Sequence, residues 1–258
     1  MPPRKKEGED QKKFSIRPWD LPNSYPSASY IVTGPPGSGK SNFVRSFCYY
    51  MRHKYPVAKI VSGTETENQT FHENFPPLYI STKYEQNAEL QYVARQRKAK
   101  TNKKCKNSSA IHIVDDCADD PKTLRSPLMT SFFKNGSRHW DGIFMLLTQA
   151  GLDAPPGVRK CASYYVLFYE ASLVEREKLW RNFGSKLGNF KEFCDIMDQV
   201  CVDHACMVID NRTQSKNIED MLFWYRAPHP IPKFKFGCKQ YRKWSKERYN
   251  KNYEPPLI

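Results

Sequence analysis

An ammonium, a hydroxyl and two carboxylates, correctly spaced, can hold and activate a phosphate chain, and this sequence carries all four. The stretch GPPGSGKS, Gly34 to Ser41, has glycine, glycine, lysine and serine at the four positions that define a phosphate-binding loop. Gly34, Pro35, Pro36, Gly37, Ser38 and Gly39 are the candidate cradle. Glycines there let backbone N–H groups turn inward, and the N-terminus of a following helix adds a partial positive charge. Lys40 is placed to reach β- and γ-phosphates, and the Ser41 hydroxyl to ligate Mg²⁺.

The second group lies about 75 residues on. Residues 110–116 read AIHIVDD, an apolar run ending in two acids. Asp115 would hold the Mg²⁺ shell opposite Ser41, and Asp116 would orient or deprotonate an attacking water. A third position follows the apolar run GIFMLLT at 142–148. Gln149, at its tip, is placed to sense the γ-phosphate or the water.

These residues need strands that end beside one another. Ser29–Thr33 (SYIVT) reads as a buried strand and 41–52 as an amphipathic helix. Further strands are expected at 58–62, 78–81, 110–116, 142–148, 164–168, 204–210 and 222–225. Helices are expected at 85–98, 126–135, 172–183 and 191–200, and residues 150–160 read as a loop. Asp119 and Asp120 are candidate helix caps. Strands alternating with helices argue for an α/β protein with a mostly parallel, doubly wound sheet. The expected divisions are a basic arm and lead-in at 1–28, a core at 29–230 and a basic aromatic tail at 231–258.

Lys plus Arg number 41 against 27 Asp plus Glu, a formal charge of +14. That excess points to a polyanionic partner, nucleic acid first and an anionic membrane surface second. Two regions concentrate it. Residues 95–107 (RQRKAKTNKKCKN) are dense in cations with no acid. The tail interleaves Lys235, Lys239, Arg242, Lys243, Lys246 and Arg248 with Phe236, Tyr241, Trp244 and Tyr249. Either could contact DNA, and the tail could equally dock on a neighbouring subunit. Eight scattered cysteines suggest free thiols in a reducing compartment. Cys194, Cys201, His204 and Cys206 fit no paired zinc spacing. No apolar run is long enough to span a membrane.

Taken together, GPPGSGKSN at 34, HIVDDCADD at 112, NGSRHWDGIFMLLTQ at 135, PGVRK at 156 and CMVIDN running into IEDMLFWYRA resemble the packaging ATPases of nucleocytoplasmic large DNA viruses. These belong to the FtsK/HerA superfamily of DNA-pumping ATPases. The resemblance implies a RecA-like P-loop core spanning roughly residues 29–227, ATP and Mg²⁺ as ligands, and a homo-oligomeric ring around double-stranded DNA. Docking to a capsid or inner-membrane viral protein, in the virion or at a cytoplasmic assembly site, belongs to the same expectation. It makes Asp115 the metal acid and Asp116 the catalytic acid, where the broader superfamily more often has glutamate. It also implies an arginine reaching into a neighbour's site. Arg138 and Arg159 are the candidates, and Arg159 is favoured because it follows the Gln149 strand on the expected C-terminal edge.

Two other functions use the same loop. A nucleotide or small-molecule kinase would transfer phosphate to an acceptor, and a nucleotide-gated switch would bind without turnover. The charge, the Gln-tipped strand and the missing Arg-rich lid disfavour the kinase. A missing Asn-Lys-x-Asp motif disfavours a GTPase.

Overall fold

Every residue of Ser29–Thr33 is buried, as expected for a strand with helices on both faces. The computed structural model describes residues 15–24, 27–117, 121–150, 154–250 and 252. The basic arm before residue 15 and the candidate caps Asp119 and Asp120 lie outside the described residues.

Nine strands among the described residues form one sheet: β1 (Arg17–Pro18), β2 (Ser29–Thr33), β3 (Val57–Ser62), β4 (Ile80–Ser81), β5 (Ala110–Asp115), β6 (Gly142–Thr148), β7 (Tyr164–Leu167), β8 (Cys206–Asp210) and β9 (Leu222–Tyr225). Their order is β1-β9-β8-β7-β2-β6-β5-β3-β4. All neighbouring pairs are parallel except β7·β8 and β8·β9, so β8 alone runs against the rest. The helices are α1 (Lys40–Met51), α2 (Glu65–Asn68), α3 (Gln86–Thr101), α4 (Pro121–Leu124), α5 (Pro127–His139), α6 (Pro156–Cys161), α7 (Leu173–Leu179), α8 (Phe190–Val200) and α9 (Lys239–Arg248).

Alternate residues of β2 face different layers. Tyr30 and Val32 join a cluster with Phe43, Phe47 and Met51 of α1. Ile31 joins the opposite cluster, with Met129, Phe132 and Phe133 of α5 and Phe193 and Met197 of α8. This two-faced burial is the doubly wound α/β architecture expected from the alternating elements.

Several boundaries differ from the sequence reading. Residues 156–161 are helical where a loop was expected, because Pro155 and Pro156 open a turn whose Val158 is fully buried. Helix α5 continues through Gly136 to His139 instead of ending at 135, and Gly136 lies close to Gly142 of β6. The helix expected to 183 gives way at Trp180–Gly184 to a π-type turn. Strand β8 starts at Cys206, leaving His204 and Ala205 in a turn where Asp203 and His204 have φ of 48° and 61°.

Residues 233–249, read as a tail, pack on the outer edge of the sheet. Phe234 and Phe236 are buried beside Phe75. Tyr241 stacks on Tyr79 at 4.1 Å, and its hydroxyl donates to the Ala58 carbonyl at 2.7 Å.

Candidate nucleotide-binding site

The C-terminal ends of β2, β6 and β5 lie side by side, with Thr33 opposite Thr148 and Leu147 opposite Asp115. Every site residue read along the P-loop, the acid pair and the glutamine therefore meets at one edge. This is the edge of an open α/β sheet where ligands bind.

The loop has the backbone its glycines require. A Cβ on Gly34 would lie 2.6 Å from Cβ of Phe168 and 2.8 Å from Oγ of Ser38, and Gly39 has a φ of 112°. Helix α1 begins at Lys40 without any side-chain cap, which leaves its first N–H groups directed toward the loop. Lys40 Nζ donates to the carbonyls of Gly34 (2.6 Å) and Pro35 (3.1 Å), arching over the loop. Burial lowers its pKa, while the carboxylates of Asp115 and Asp116 act in the opposite direction.

Asp115 closes β5 and is buried. Burial first, and then the neighbouring charge of Asp116, raise its pKa to about 6. The Ser62 hydroxyl donates to its Oδ2 at 3.3 Å. A buried, incompletely compensated carboxylate and the Ser41 hydroxyl are hard oxygen donors of the kind Mg²⁺ takes when phosphates complete its shell. The residues present therefore fit that ion.

Asp116 adopts a left-handed backbone, φ 50°, that turns it out of the strand. Its Oδ1 accepts a 2.7 Å hydrogen bond from Gln149 Nε2. The glycine at 63 permits this approach, since a Cβ there would sit 2.5 Å from the Asp116 carbonyl oxygen.

Three residues at this edge have no signature in the sequence. Phe168 packs against Gly34 and Gly39. His204 Nδ1 lies 3.3 Å from the Ser38 carbonyl oxygen, across 166 residues of chain. Because β8 runs antiparallel, its start returns to the edge where the parallel strands end. Together with Asn42, Phe43, Tyr225, Arg226 and His229, these residues line a cleft of ≈ 600 Å³ beside the loop. Glu65 is the third. It is fully buried, its Oε1 accepts from the backbone N–H groups of Phe71 (2.8 Å) and His72 (3.0 Å), and its charge adds to the field on Asp115.

The arginines separate. Arg159 lies in the last turn of α6, which ends at the N-terminal edge of the sheet and not in a loop at the C-terminal edge, and its Nη1 donates back to the Ala154 carbonyl at 2.7 Å. Arg138 sits in the last turn of α5, at the N-terminal edge of the sheet, away from the chain's own P-loop.

No family model matches the chain. It is 31% identical over 255 residues to the uncharacterised protein 075L of Invertebrate iridescent virus 6, covering 95% of this chain and 98% of that one. It is 32% identical over 249 residues to protein 088R of Invertebrate iridescent virus 3, covering 91% and 94%. Among solved structures it is similar to the genome packaging NTPase B204 of Sulfolobus turreted icosahedral virus 2 in complex with ATP-gammaS. The TM-score is 0.55 and the identity 16%, over 78% of this chain and 97% of that one. That likeness is one of fold, the mostly parallel sheet of a RecA-like P-loop NTPase. The chain belongs to the family of large DNA virus proteins that includes 075L and 088R of the iridescent viruses, and it has the mostly parallel α/β fold of a RecA-like P-loop NTPase.

Proposed function

We propose that this protein hydrolyses ATP to drive double-stranded DNA into a viral capsid. The observation that carries the reading is the meeting of Lys40, Ser41, Asp115, Asp116 and Gln149 at the tips of three adjacent strands. The fold it shares with a viral genome packaging NTPase and the +14 charge support the DNA half.

In this mechanism the uncapped α1 N-terminus and the loop N–H groups bind the phosphates, and Lys40 exchanges its loop carbonyls for phosphate oxygens. Ser41 and Asp115 would hold Mg²⁺, which when bound neutralises charge developing on the phosphoryl oxygens. Asp116 accepts the proton of the attacking water, and Gln149 fixes the direction of that carboxylate. An arginine supplied by a neighbouring subunit in a ring completes the charge on the γ-phosphoryl group. Arg159 and Arg138, both in last helical turns, are the candidates, and Arg159 would have to release its bond to the Ala154 carbonyl to reach a neighbour.

The test is steady-state ATP hydrolysis with and without duplex DNA. Stimulation by duplex supports the reading. Transfer of phosphate to a small acceptor would make the protein a kinase, and nucleotide binding without turnover would make it a switch.

A further inference from the structure

Two basic regions of the chain compete to be the face that meets DNA. Side-chain packing separates them. In the C-terminal region Phe234, Phe236 and Tyr241 are buried in the chain's own core, Arg248 covers the Trp244 ring at 3.4 Å, and Lys243 pairs with Glu247 at 3.7 Å. Phe236 and Tyr241 cannot reach a base, and three of the six cations, Arg242, Lys243 and Arg248, already have partners within the chain, leaving Lys235, Lys239 and Lys246 exposed.

The opposite holds at the N-terminal edge of the sheet. Helices α5 and α6 and strand β8 all end there, and between them lies a cleft of ≈ 980 Å³. Lys134, Arg138 and Lys160 line it, all exposed, and none has a carboxylate within ion-pair distance among the described residues. Among the described residues the one acid lining the cleft, Asp210, is held by Arg212 at 2.6 Å. Ser137, Ser163 and Thr213 add hydroxyls of the kind that bond phosphate oxygens. The basic run 95–107 leads to the same edge. Its Lys100 donates to Asp141 and to the Arg138 carbonyl, while Lys103, Lys104 and Lys106 stay exposed in the loop before β5.

Resting on the proposed function, we propose that this edge is the duplex-binding face. Lys134, Arg138 and Lys160 contact backbone phosphates, and the loop at 103–106 extends the contact. Among the described residues the only aromatic ring lining the cleft, Phe133, is buried, so those residues offer no platform for unstacked bases. That selects duplex over single strands. The face lies a strand length from the P-loop, roughly 16 Å for five residues. DNA and nucleotide would then occupy opposite edges of one sheet. Cations near helix C-termini also offset the backbone dipole without any ligand, and the experiment separates the two roles.

Binding of a fluorescein-labelled random-sequence duplex to the full chain is followed by anisotropy between ~50 and ~200 mM salt. The variant Lys134→Glu/Lys160→Glu is expected to bind at least about tenfold more weakly, with a salt slope shallower by about 2. Lys243→Glu/Lys246→Glu in α9 should stay close to wild type. Hydrolysis without DNA should be unchanged in both pairs, and it doubles as the folding control. If the glutamate pair is unfolded, Lys134→Gln/Lys160→Gln should show the same loss in weaker form. Wild-type affinity in a folded cleft variant overturns the site, as does tighter binding of single strands. Binding to phosphatidylserine vesicles but not to duplex overturns the choice of partner. A wild type that binds duplex through this cleft yet never hydrolyses ATP would sink the motor reading and leave the face standing.

Discussion

Gln149 Nε2 donates to Asp116 Oδ1 at 2.7 Å, joining the tips of β6 and β5 beside the loop that follows β2. The amide is thus the direct neighbour of the carboxylate assigned to the attacking water. Two residues that act as one unit lose activity together, so their effects should not multiply.

Replacing Asp116 by Asn should lower kcat by about 10²-fold or more while nucleotide still binds. Gln149→Ala should lower kcat by a smaller factor, and the double variant should fall little below Asp116→Asn alone. Single-turnover hydrolysis of the four proteins checks this. A fully multiplicative double variant would mean that the hydrogen bond plays no part in the chemistry.

Asp115→Asn should separate stability from activity. Burial and Asp116 raise its pKa to about 6, so the ionised form at pH 7.5 opposes folding of the metal-free protein. Removing that charge should stabilise the metal-free fold by about 3 kcal/mol, and Mg²⁺-dependent hydrolysis should be lost. Thermal unfolding in EDTA is the measurement. A lower melting temperature would show that Ser62 and Lys40 compensate the carboxylate more than burial penalises it.

A second buried acid behaves in the opposite way. Glu89 is fully buried in α3, with Lys59 Nζ 2.8 Å from Oε1 and His112 Nε2 3.1 Å from Oε2. The histidine approach is close but poorly aligned for a hydrogen bond. Burial alone would raise the Glu89 pKa, yet His112 and Lys59 together bring it down to about 2. Its folded pKa lies below the unfolded value, so its stabilisation is present above about pH 4 and is lost as pH falls toward 2. Glu89→Gln should cost about 3 kcal/mol at pH 7. That difference should shrink in urea unfolding between pH 4 and pH 3. A deficit that stays constant with pH would point to packing instead of charge.

The trans arginine can be tested by mixing. Arg159→Ala subunits that bind ATP are combined with Lys40→Ala subunits. Some interfaces then pair an intact loop with an intact arginine, and rate should partly return, since such an arginine contributes ~10³ to 10⁵. Mixed rings that stay as inactive as either parent would remove Arg159 from that role.

What the sequence showed and what it hid follow from the range of the interactions. The P-loop, the acid pair and the Gln149 strand were legible because each is a strand with its own tip residue, written in consecutive positions. The short helix α6 was missed because its prolines signal a turn and only the buried Val158 shows that it packs. His204 and Phe168 reach the P-loop through the reversed direction of β8 and the neighbouring tip of β7, which depend on strand order. The basic aromatic tail reads equally as a DNA contact or a docking segment, because its composition does not reveal that Tyr241 stacks on Tyr79 within the same chain.

The most direct measurement of the central claim is the rate of ATP hydrolysis by the full chain as duplex DNA is added. The account predicts Mg²⁺-dependent hydrolysis that rises with duplex and is abolished by Lys40→Ala, whose ammonium arches over the phosphate loop. A rate that duplex leaves unchanged, or that survives Lys40→Ala, would contradict it.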